Sequence, residues 1–277
     1  MTELLLRELH KVGLHLNVDK TKILHSSSGT LDADRDYADI DGELVQILHE
    51  DQHHRYLGRH LNLSEENRCN IEIRNRKHQA WSAFQKHKKV LLNPHVSLGK
   101  RLHLFDICVS PAMLYSLVCF PISKHHLNEI DILQRKMLRC IVGWRRVPSE
   151  NWEDTMRRMR SRLEYADELY HCQKWSDRLL RDQWRFALHL TTDGAPFWAR
   201  SILKHSSNSV NDDAGRYISH RCPGRPRQKW DDRLKFFFRN VVPDHRDTHW
   251  SEIMRAYKCV DLEDVYCSFN FSASNLS

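Results

Sequence analysis

The residues of this chain best suited to chemistry are cations. Lys20 stands in GLHLNVDKTKIL, just after the turn-forming Asn17. Read from the residues alone, it is a surface turn lysine. Arg74, Lys77, Lys88 and Lys89 recur along one helical stretch with one side free for phosphates. Gly224-Arg225-Pro226-Arg227 cannot enter a helix, and its Arg225 and Arg227 make it a candidate nucleic-acid arm. The acids are less promising. Two-metal catalysis needs carboxylates gathered around ions about 4 Å apart. The Asp pairs Asp212-Asp213 and Asp231-Asp232 instead fall in a polar linker and at a helix start, and both are expected on solvated surfaces.

Composition narrows the partners. The 277 residues carry a formal net charge of +7, but the excess is local. Residues 1–64 hold 7 Lys/Arg against 11 Asp/Glu, whereas residues 65–146 hold 15 against 6. A concentrated basic excess attracts polyphosphate through counterion release, or merely solvates a helix face. The 8 cysteines contain no CxxC pair. Cys108, Cys119 and Cys140 are expected to pack as small hydrophobes, and Cys259 with Cys267 is too widely spaced for a compact zinc knuckle, so no metal site is assigned. The longest nearly unbroken apolar run, from Ala112 to Ile122, falls short of the roughly 20 residues that cross a bilayer. No membrane span or signal peptide is expected.

The elements that must position these groups read as α+β, mainly helical. Leu4, Leu5, Leu6, Leu9 and Val12 share one face of a short helix that Gly13 ends. A strand at Leu14–Leu16, a turn and a strand at Thr21–Leu24 follow. After an acidic loop over 32–41, GELVQIL and RYLGRHL are expected to pair across a polar turn at 50–54. From Ser64 the period becomes helical, through Ile73, Ala80, Trp81, Phe84 and Leu91 to the break at Asn93-Pro94. A second helix carries Leu102, Phe105, Val109 and Met113 and is divided or kinked at Pro111. A third runs from Leu127 to Val142 before Gly143. Further helices are expected over 152–170, 173–190 and 230–238. The expected organisation is 1–64 with small β hairpins, 65–146 a basic helical bundle, 147–205 a helical connector, and 206–277 a C-terminal region bearing the basic arm.

Two segments in this order, GLHLNVDKTKIL and HHRYLGRHLN, resemble motifs of non-LTR, or LINE-type, retrotransposon reverse transcriptases. In that family Gly-Leu-x-x-Asn-x-x-Lys-Thr follows the catalytic hairpin of the palm, and Tyr-Leu-Gly marks the primer grip. The helices after Ser64, with Pro-Ala-x-Leu-Tyr at Pro111–Tyr115, resemble the thumb, and GRPRQKWDDRL resembles a motif near the C-termini of such elements. The resemblance implies that Lys20 matches a lysine proposed to protonate pyrophosphate. It also implies that Tyr56, Leu57 and Gly58 contact primer–template, the glycine permitting close backbone approach; a simple hairpin core is the structural alternative for Leu57.

The same resemblance implies an RNA-directed DNA polymerase that uses magnesium when intact. This chain would begin just after the Asp-Asp box, hold no cofactor of its own, and be inactive alone. RNA and DNA primer–template are the implied partners, inside the cell in a nuclear or cytoplasmic ribonucleoprotein. Other readings are a stand-alone DNA- or RNA-binding module, for which the Gly-Arg-Pro arm resembles an AT-hook core, and a decayed open reading frame. A restriction-like nuclease is disfavoured, because no acidic-x-Lys triplet follows Pro243-Asp244.

Overall fold

A computed structural model describes residues 2–24, 36–40, 42–49, 52–61, 65–143, 146–192, 230–242, 248–257 and 262–269. The described residues are mainly helical with two small sheets, the α+β class expected, and the chain divides into compact units over 1–75 and 76–277.

In the first unit, helix α1 (Thr2–Lys11) ends at Gly13, whose φ of 74° lies in the left-handed region. Leu14–Asn17 is not a strand. Three strands, β1 (Lys22–Leu24), β2 (Tyr37–Ile40) and β3 (Glu43–Leu48), form a sheet in the order β1-β3-β2. β2 and β3 are antiparallel, and Gly42 (φ 81°), just before β3, donates its N–H to Asp39 Oδ1. β1 pairs with β3 in parallel. This corrects the expected pairing of GELVQIL with RYLGRHL: GELVQIL takes β1 and β2 as neighbours, and RYLGRHL folds on itself as the hairpin β4 (His54–Tyr56) and β5 (Arg59–Leu61). Strand alternation is visible in a sequence, but partners are chosen by non-local burial, here of Val45, Ile47 and Leu48 on β3.

Helix α2 (Glu65–Leu91) follows. Its early residues Cys69, Glu72 and Ile73 are buried, and Glu72 Oε2 accepts the backbone N–H of His60, tying β5 to the helix.

The second unit contains the rest of α2, then α3 (Leu98–Cys108), α4 (Ser110–Leu114), a 3-10 turn (Leu117–Cys119) and α5 (Lys124–Val142). Residues Leu98–Cys119 form a stretch that by length and composition alone is apolar enough to cross a bilayer. The helical path breaks at Val109 and again at Ser116, whose φ is 62°, and Leu102, Phe105, Met113 and Leu117 are buried. Pro111 thus opens a new helix at its first turn, the position at which a missing N–H costs nothing. α5 starts with a reciprocal cap. Ser123 Oγ accepts the His126 N–H at 3.2 Å, and His126 Nδ1 accepts the Ser123 N–H at 3.3 Å. It stops at Gly143, with φ 90°. Arg101 joins two helix ends, because its guanidinium donates to Leu91 O on α2 and Ile141 O on α5, besides Val96 O.

α6 (Trp152–Tyr170) begins at Asn151, which accepts the Asp154 N–H at 2.8 Å. α7 (Trp175–Thr191) is the helix on which the others converge: α5, α4 and the 3-10 turn pack against it, as do α9 (Trp250–Tyr257) and α10 (Glu263–Ser268). Its N-cap is Lys174, which has no acceptor to offer. α5 supplies the acceptors instead. Gln134 Oε1 takes the Trp175 N–H at 2.9 Å, and the Asp131 carboxylate takes the Ser176 N–H at 3.0 Å and its hydroxyl at 2.7 Å. The Trp175 ring stacks on Phe105, and its Nε1 donates to Ser110 Oγ at 2.7 Å. Further along, Trp184 meets Phe237 and Phe238 of α8 (Asp232–Val241) and Tyr266 of α10 in an aromatic core.

Removing the carboxylate that caps α7 should therefore be felt by the whole unit. Asp131→Ala is expected to lower stability by about 1–2 kcal/mol, seen as a lower urea midpoint at unchanged slope.

Candidate nucleic-acid interface

The turn around Lys20 is built by Asn17. Its side-chain oxygen accepts the Lys20 N–H at 3.1 Å, and its carbonyl accepts the Thr21 N–H at 2.9 Å and hydroxyl at 2.8 Å. The Asn-x-x-Lys-Thr spacing is thus a self-closing turn that leaves Lys20 exposed.

The β4–β5 hairpin turns on two residues, with Tyr56 opposite Arg59. Both turn residues have positive φ, 49° at Leu57 and 78° at Gly58, the combination of a type I′ turn. Glycine accepts this freely, but leucine does not: the left-handed conformation costs an L-residue about 1–2 kcal/mol. Nor is Leu57 the core of the hairpin, since it is 73% exposed and Tyr56 57%. The hairpin presents an aromatic and an aliphatic side chain on a strained tip.

The cations of α2 have different fates. In the first unit Arg74 is exposed. In the second, Lys77 Nζ is 2.8 Å from Glu129 Oε1, bridging α2 to α5. The hydrogen bond from Lys77 is the main reason that the Glu129 carboxyl titrates below the usual range. Lys88 and Lys89 are exposed in the last turn of α2, where they also complement the helix dipole. Arg225 and Arg227 lie outside the described residues, as do Asp212-Asp213, Pro243-Asp244 and Cys259.

Two expectations are corrected by burial. Asp231 is not solvated: its carboxylate is buried, accepts Trp250 Nε1–H at 3.1 Å and pairs with Lys235 at 3.0 Å. It locks α8 to α9, and a carboxylate so committed does not fit a magnesium pair; no three His, Cys, Asp or Glu side chains converge as metal ligands among the described residues. Cys119, in the 3-10 turn after the break at Ser116, is exposed, and Cys108 and Cys140 are half-buried. Among the described cysteines, Cys69 is the buried one.

A cleft of about 600 Å³ between α5 and α6 was not singled out by sequence reasoning. Arg135 and Arg139 from α5, Arg160 from α6 and Lys174 line it. The signal that could have found it is the i, i+4 spacing of the two α5 arginines, a repulsive pair on any helix face.

No family model and no solved structure matches this chain. It is similar to an uncharacterized transposon-derived protein of Caenorhabditis elegans, 29% identical over 143 residues. That match covers 52% of this chain and 49% of the relative, so the chain spans about half the length of the protein it matches. The similarity supports a transposon-related origin.

Burial, with the neighbouring Glu72 adding to it, pushes the Cys69 thiol up to about 12. The unfolded thiol ionises near 9. Stability of the first unit should therefore hold below pH 9 and fall as pH rises above it. Maleimide or iodoacetamide should modify Cys69 much more slowly in the native chain than in urea, as read by peptide mass spectrometry. Equal rates would contradict its burial.

Proposed function

We propose that this chain is a nucleic-acid-gripping part of a LINE-type retrotransposon reverse transcriptase, acting on RNA and DNA primer–template. The observation that carries the reading is the β4–β5 tip. A leucine held in a left-handed conformation while mostly exposed is backbone strain of the kind that clusters where a side chain is presented to a ligand. The tip bears Tyr-Leu-Gly, the residues of the primer-grip resemblance, and stands downstream of the Asn17–Thr21 turn in the family's order. Exposed Lys88 and Lys89 offer phosphate contacts that need no catalytic centre.

In this reading the chemistry belongs to the intact polymerase, whose magnesium would be held by carboxylates outside the Asp231-Asp232 pair. Lys20 is the general-acid candidate of that larger machine, and the chain would work inside the cell beside the element's RNA. A free-standing nucleic-acid-binding module is the second reading, favoured by the exposed cations alone.

Fluorescence anisotropy with a labelled primer–template distinguishes them. Tyr56→Ala with Leu57→Ala should weaken binding about tenfold, the loss of a contact worth about 1.4 kcal/mol. Arg225→Ala with Arg227→Ala should lower the salt slope by about 2. A tip variant that binds as the parent does would favour the free-standing module. Primer extension by the purified chain with magnesium is expected to be absent, and detectable extension would overturn the assignment of the chemistry elsewhere.

A further inference from the structure

The α5–α6 cleft has an apolar side and a cationic side. Val142 and Ala166 are buried within it, whereas Arg135, Arg160 and Lys174 are exposed and Arg139 half-buried at its border. Two carboxylates also line it. Asp131 is held by Ser176 through both oxygens, which leaves Glu164 as the acid facing four cations. Among the described residues none of these four cations is in an ion pair. Arg157 and Arg158 on the same α6, by contrast, are matched to Asp154 and Glu150, and Arg178, Arg181 and Arg185 on α7 are matched to acids as well. Arg135 spends its Nε–H on the Asp131 carbonyl one turn back, which orients the guanidinium without neutralising it.

An uncompensated pair of arginines one turn apart repels, and it is stabilised when an anion sits between them. The volume lies within the range of small-ligand sites, about 300–1,000 Å³, and not that of a groove that tracks a duplex. Guanidinium groups fit phosphate oxygens through paired N–H donors, and apolar side chains accept the face of an unstacked base.

We infer that the cleft between α5 and α6 is a subsite for one unstacked nucleotide of a single strand. Its phosphodiester lies at Arg135, Arg139 and Arg160, and its base lies against Val142 and Ala166. The inference rests on the nucleic-acid reading above and adds to it a place and a preference for unpaired strands. It requires nothing of the hairpin tip.

The test measures binding of the full chain to labelled single-stranded RNA, single-stranded DNA and a duplex of the same sequence over a range of salt. The triple variant Arg135→Gln, Arg139→Gln, Arg160→Gln should lose at least about tenfold in single-strand affinity, with a salt slope lowered by about 2, while duplex binding changes less. The corresponding lysine triple keeps the charge and should keep the slope. Circular dichroism and melting check folding. If the glutamine triple does not fold, Arg160→Gln on its exposed helix face carries the test alone, with a slope loss of about 0.7. Whichever sugar binds more tightly identifies the strand, and both outcomes support the subsite. A triple variant that keeps single-strand affinity and slope overturns the subsite and leaves the nucleic-acid reading standing, as does an equal loss for duplex. A parent chain that binds no nucleic acid overturns both.

Discussion

Four N–H groups at the start of every α-helix need acceptors from elsewhere, and at α7 the chain itself offers only Lys174. The second unit is organised around meeting that need from another helix. Asp131 and Gln134, one turn apart on α5, must face the first turn of α7, which sets the rotation of α5 about its own axis. With that rotation set, Met137 and Ile141 are buried and Arg135 and Arg139 are left to border the cleft toward α6. Trp175 completes the joint by stacking on Phe105 and bonding to Ser110, so α3 and α4 are drawn to the same point. The remainder of α7 then delivers Leu180, Trp184 and Ala187 to the aromatic core of α8, α9 and α10.

How much of this was legible in the sequence follows from the range of the forces. Helix existence and helix ends are local, and they could be read: the period through Ile73, Ala80 and Phe84, the break at Pro94, the division at Pro111 and the stop at Gly143 all appear where local rules put them. Strand partners are not local. Nothing near GELVQIL says that β1 lies parallel beside it, and the Tyr-Leu-Gly turn looked like strand because a leucine rarely adopts positive φ. Asp231 was misread for a related reason, since its Trp250 partner arrives from another helix. The candidate site divides in the same way. The hairpin tip was visible as a motif, whereas the cleft exists only once α5 and α6 are packed.

Charge counts overstate the cationic surface for a physical reason that the middle segment illustrates. Of its basic residues, Lys77 is matched to Glu129, Arg101 is turned inward onto helix carbonyls, and Lys136 lies over the Trp81 ring. Such groups act as structural donors and present little field to a ligand. Among the cations left unmatched there and in the helices beyond, position says more than number. Arg135, Arg139, Arg160 and Lys174 surround one concavity, whereas Lys88 and Lys89 sit on an open helix end. A concave, low-dielectric wall concentrates potential in a way that a convex helix end does not.

The two ends of α5 are fastened by chemically different clasps, and acid distinguishes them. At the C-terminal end the clasp is the Arg101 guanidinium. Burial lowers its pKa, but a guanidinium stays protonated throughout the range in which proteins fold. At the N-terminal end His126 must keep Nδ1 free of a proton to accept from Ser123. Burial lowers the His126 pKa, with His125 and Lys77 reinforcing the shift and Glu129 opposing it. The folded state therefore prefers the neutral ring, and its contribution is present above pH 6.5 and declines below it. Mild acidification should fray α5 from one end only, loosening its attachment beside Lys77 and Glu129 while the joint at Ile141 holds.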